Sequence, residues 1–110
     1  MAMNLAKQTS SFTPDYLIAG ANVAIETKVK TAAAAIDKGA PVKLDANGKA
    51  AKVTSASDVL YGITAESAAA DGLVVVYLTG EFFADKLALE TGVTAAALET
   101  AFRNIGIFLK

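Results

Sequence analysis

Leu73-Val74-Val75-Val76-Tyr77-Leu78-Thr79 is the most β-prone window of the chain. Branched and aromatic side chains fit a pleated surface. A run apolar on both faces predicts a strand covered on both sides, and hence the central strand of a sheet. Working outward, Ala68-Ala69-Ala70-Asp71-Gly72 reads as the turn before it, and Gly80-Glu81-Phe82-Phe83 as the turn out of it.

Shorter strands surround this window. Residues 23–31 alternate with period two, setting Val23, Ile25, Thr27, Val29 and Thr31 on one face and Glu26, Lys28 and Lys30 on the other. That predicts a half-buried strand whose lysine face is wet. Residues 32–36 fit either a helical turn or a continuing strand, because four alanines are too few to decide. Residues 41–45 and 49–53 flank Ala46-Asn47-Gly48, a hairpin signal, since Asn and Gly tolerate positive φ. Residues 55–58 read as a loop and residues 59–65 as another strand. Gly62 inside that strand marks a bulge or a close backbone approach. Thr94 is placed to cap a helix running to about Arg103, with Leu98 and Phe102 on its apolar face. Ile105, Ile107 and Leu109 alternate in a last strand. Together these predict a mainly β (β-rich α+β) fold, a small sandwich or barrel-like domain with short helices and an extended N-terminal arm.

Composition narrows the function. The 110 residues suffice for one domain with one modest core. Hydrophobic residues make up 54% of the chain but aromatics only 7%, the difference being largely alanine. Alanine buries little area, so the core is lean, and a lean small domain gains from oligomerisation. The chain has no cysteine and no histidine. Disulfides and thiol chemistry are excluded, and the commonest general base and metal ligand are missing. Ten basic against eleven acidic residues, with no basic run, argue against nucleic acid as a partner. No apolar stretch approaches the roughly 20 residues of a membrane span, and the N-terminus lacks a signal-peptide pattern. The expected product is soluble and made in the cytoplasm.

No constellation carries chemistry. Glu81, Asp85 and Glu90 are close in sequence, but paired carboxylates do acid–base work only when one is buried, and these read as solvated loop charges. Asp45-Ala46-Asn47-Gly48-Lys49 offers two acidic-type oxygens before a lysine, too few for a calcium loop. The serines have no histidine base and no nucleophile elbow. No phosphate loop is present. The expectation is a non-enzymatic contact module without cofactor or metal.

Residues 1–14 show no period and are rich in Gln, Ser and Thr, which predicts an arm disordered in the free subunit. The expected division is an arm over residues 1–15 and a single β-rich domain over 16–110.

From Pro41 onward, the order of features resembles the head decoration proteins of lambda-like tailed phages. The matching points are Ala40-Pro41-Val42-Lys43-Leu44-Asp45 with Lys49, Gly62-Ile63-Thr64-Ala65, Tyr77 followed by Gly80-Glu81-Phe82, and Thr100-Ala101-Phe102 before a closing apolar strand. They span about two-thirds of the chain, and their ordered spacing carries the likeness more than any single motif. The resemblance implies homotrimers on the outer surface of the expanded virion head, at local three-fold positions. There they bridge capsomers of the major capsid protein against the pressure of packed DNA, with no nucleic-acid or membrane partner. It also implies an arm that adds a strand to a capsid protein edge. The candidate capsid contacts are then Phe12, Thr13, Pro14, Tyr16 and Leu17. Residues 23–31 depart from the family's looser Gly- and Pro-rich stretch, which sets the end of the arm near Tyr16. The rival readings are a head fibre or tail component, and a β-sandwich ligand-binding module, which would need an exposed aromatic cluster.

Overall fold

The computed structural model describes residues 18–20 and 24–110. The described strands are β1 (Ile18–Gly20), β2 (Glu26–Thr31), β3 (Pro41–Leu44), β4 (Ala50–Lys52), β5 (Gly62–Thr64), β6 (Leu73–Phe82) and β7 (Ile107–Leu109). A 3-10 turn (Ala84–Lys86) and one α-helix, α1 (Ala95–Arg103), lie between β6 and β7. The fold is mainly β, as the sequence predicts.

β6 is the central strand, and it is longer than the sequence reading expects. Gly80 does not turn the chain out of the sheet. At φ 143° it holds a conformation that a side chain resists, and β6 changes neighbours there. Residues 73–79 pair with β2 on one edge, while Val76 and Tyr77 pair with β5 on the other. Residues 80–82 then run parallel to β7, and Glu81 and Phe82 also pair with β1. New hydrogen bonds replace the old ladder, with Gly80 N–H donating to the Gly106 carbonyl at 3.1 Å and Lys110 N–H to Phe82 at 2.8 Å.

The first part of β6 belongs to a barrel-like ring. The paired order is β2-β6-β5-β3-β4. Ala32, one residue past β2, bridges Ala50 of β4 in parallel and closes the ring. Residues 32–36 are therefore neither helix nor strand but two isolated bridges, the second between Ile36 and Ala68. Inside the ring sits a small cluster of Ala32, Ile36, Ala40, Val42, Ala50, Val74 and Val76. Fully buried Thr64 clasps the loop beside it, accepting from Ala40 N–H at 2.9 Å and donating to the Asp37 carbonyl at 2.7 Å.

The larger side chains pack outside the ring. Ile63, Phe82, Leu98, Phe102 and Ile107 form a second core with Val53, Leu60 and Val93. Thr94 caps α1 as expected, its hydroxyl accepting from Ala97 N–H at 3.2 Å. Leu98 and Phe102, four residues apart, point together into this core.

Two further sequence readings are refined. The β3–β4 hairpin forms, but positive φ occurs at Gly48 (78°) and not at Asn47. The three residues 46–48 make a loop with one left-handed residue, and the Asp45 carboxylate accepts from both Asn47 N–H and Lys49 N–H. β5 is shorter than residues 59–65, and Val59 is exposed. Asp58 draws that segment into a turn instead, accepting from Thr54 N–H, Ser55 N–H and the Lys43 ammonium.

In β2 the expected faces are exchanged. Cross-strand partners share a face, and Lys28 and Lys30 stand opposite Val76 and Val74, both fully buried. Val29 stands opposite Val75 on the outer face and is 53% exposed. The lysines keep their charge in water by reaching outward along apolar stems. The Lys30 ammonium lies 5.3 Å from the centre of the Tyr61 ring, a favourable cation–π distance.

Candidate functional site

The candidate capsid contacts Phe12, Thr13, Pro14, Tyr16 and Leu17 lie outside the described residues. The structure does describe where that segment joins the body. β1 begins at Ile18 and pairs antiparallel with the end of β6, Ile18 opposite Phe82 and Gly20 opposite Glu81. Ile18 packs on the second core, next to Phe82. Phe82 is fully buried, and its ring lies 5.2 Å from that of Tyr77, tilted by 43°. The root of the N-terminal segment is thus the outer strand of a three-stranded sheet, β1-β6-β7, packed through Ile18 on the second core.

Glu81 is in the middle of this sheet. It is not a solvated loop charge, as the sequence suggests, but a strand residue only 4% exposed. Burying a carboxylate is costly unless it is paired, and its Oε1 lies 3.3 Å from the Lys110 ammonium. Lys110 also bonds through its backbone, donating to Phe82 and accepting from Ala84 N–H at 3.3 Å. No local pattern signals this, because the partner is 29 positions away and the sequence reading turns the chain at Gly80-Glu81-Phe82-Phe83.

Asp58, Asp71 and Glu90 hold ion pairs. Asp85 is exposed on the 3-10 turn, and Glu90 pairs with Lys52 at 3.2 Å. The Asp58 carboxyl is held below the usual carboxylate range, first by the Thr54 N–H and then by the Lys43 ammonium. Lys49 is pushed up by its hydrogen bond to Asp71, at 3.0 Å. Among the described residues there is no group of three acidic side chains able to hold a metal and no ligand-sized pocket. No helix among them is long and apolar enough to cross a membrane. The arrangement offers surfaces and strand edges for contact.

A family model of phage cement proteins matches residues 17–80, more than half of the chain. The chain belongs to the phage cement protein family. The matched span runs from the start of β1 through the whole barrel-like ring to Gly80. It includes the decoration-protein motifs at residues 40–45 and 62–65, whereas the one at residues 100–102 falls beyond it. No curated protein matches the chain. Membership makes this a capsid-stabilising structural protein, bound to the phage capsid in the virion. The family is structural rather than enzymatic.

Proposed function

We propose that this cement protein decorates the outer surface of the expanded phage head as homotrimers at local three-fold positions, bridging capsomers of the major capsid protein against the pressure of packed DNA. The family match over residues 17–80 is the observation that carries this reading. The N-terminal arm, residues 1–15, with Tyr16 and Leu17 at its base, is the contact element. Its candidate anchors are Phe12, Thr13, Pro14, Tyr16 and Leu17. Support comes from the attachment of β1 to the Phe82 core, which gives the arm a fixed point of departure.

The mechanism is avidity. One short arm makes a modest contact, but a trimer presents three, and linkage raises affinity by about 10² to 10⁴. A protein that binds only the expanded shell stabilises that state by mass action. Nucleic acid and membrane are not partners in this scheme, and no cofactor is needed.

The test is deletion of residues 1–16 followed by co-sedimentation with expanded heads. The truncated protein is expected to keep its circular dichroism spectrum and thermal midpoint while losing binding. Full occupancy of heads by the truncated protein would refute the role of the arm.

A further inference from the structure

The ladder partners of β1 lie beyond the family-matched span. That span ends at Gly80, and β1 pairs with Glu81 and Phe82. The buried residues of the ring, from Ala32 to Val76, all fall inside the span. The core beneath Ile18 is different. Phe82, Val93, Leu98, Phe102 and Ile107 come from beyond Gly80, and Val53, Leu60 and Ile63 from before it. Residues 81–110 therefore supply both ladder partners of β1 and the larger part of the core it packs on.

One charged contact crosses this sheet. Glu81 stands in the middle strand, opposite Gly20 of β1 on one side and Phe108 of β7 on the other. Lys110, one residue past β7, brings its ammonium to the buried Glu81 carboxylate. Its backbone is fixed as well, by the bonds with Phe82 and Ala84. A carboxylate left buried without its cation is strongly unfavourable. With the lysine charge gone, the sheet relieves that cost by letting water in beside Glu81. β6 belongs to both sheets, and β7 is held in the core by Ile107 beside Phe102 of α1. β1 has three residues, an irregular register and, among the described residues, one paired edge. It is the strand that yields.

We infer that Glu81 and Lys110 form a latch on β1. Their ion pair keeps the root of the N-terminal segment closed on β6, and loss of the lysine charge releases β1 while the ring stays folded. Lys110 thus acts on Ile18 through Glu81, linking the far end of the chain to the start of the body. The inference goes beyond the decoration reading. It concerns the free subunit and holds whether or not the segment before Ile18 contacts a capsid.

The test is amide hydrogen exchange, followed by NMR on the full chain. It compares the wild type, Lys110→Met, Lys110→Arg and the double variant Glu81→Gln with Lys110→Met. In Lys110→Met, exchange across residues 18–20 is expected to rise about tenfold or more, as local opening follows the contacts that close it. Exchange at Val42, Val74 and Val76 in the ring is expected to keep its wild-type rate. Lys110→Arg retains the charge and is expected to keep β1 closed. The double variant is expected to recover protection, because a neutral amide loses far less on burial than an unpaired carboxylate. Unchanged exchange at β1 in Lys110→Met would overturn the latch. An equal rise in the ring would make the pair a general stabiliser, and a double variant that fails to recover would trace the effect to the lysine stem. Either result also overturns the latch. None of these readouts involves heads, so the decoration reading is tested separately.

Discussion

At Gly62 a missing side chain lets β5 lie against β6. A Cβ there would run into the Tyr77 carbonyl oxygen and come within 2.7 Å of Val76 Cγ1. Gly62→Ala is expected to destabilise by about 1–3 kcal/mol, the usual cost of overpacking, read as a lower denaturant midpoint at unchanged slope. Asp58 gives a pH dependence. Its folded carboxyl lies below its ordinary value of 3.8 because Thr54 N–H and Lys43 favour the charged form. A depressed carboxyl contributes stability that is complete above the unfolded pKa and is lost as pH falls through the folded one. Melting temperature is therefore expected to drop as pH falls below about 4, and Asp58→Asn to flatten that decline while lowering the neutral-pH value. Equal acid slopes in both proteins would show that Asp58 plays no part.

Among the elements, α1 depends on two side chains and a cap. Leu98→Ala empties a fully buried site and is expected to cost about 2–5 kcal/mol. Thr94→Ala removes the hydroxyl that receives Ala97 N–H, at about 1 kcal/mol; urea unfolding measures both. These two elements, the helix and the β3–β4 hairpin, were legible in the sequence because their signals are local: a cap, an i, i+4 pair and an Asn-Gly turn. β6 was legible as central because seven successive β-formers leave no polar face. What was not legible depends on distant partners. The alternation of β2 reveals its period but not which face meets the core, which is decided by its register on β6. The extension of β6 past Gly80 and the burial of Glu81 depend on β7 and Lys110, supplied by the far end of the chain. Of the capsid-contact candidates, the structure describes only their attachment point at β1.

As a whole, the molecule joins a small alanine-lined ring to a larger aromatic core, with the arm root on the latter. That division suits a cement protein. The larger core holds β1 through Ile18, which packs on it opposite Phe82. As a cement protein it strengthens the capsid by binding it. The most direct measurement takes expanded, DNA-filled heads prepared without this protein and heats them with and without the purified chain, following DNA release with an intercalating dye. Added protein is expected to raise the release temperature in proportion to occupancy, saturating as the sites fill. Heads that take up no protein, or that release DNA at the same temperature when fully decorated, would contradict a capsid-stabilising role.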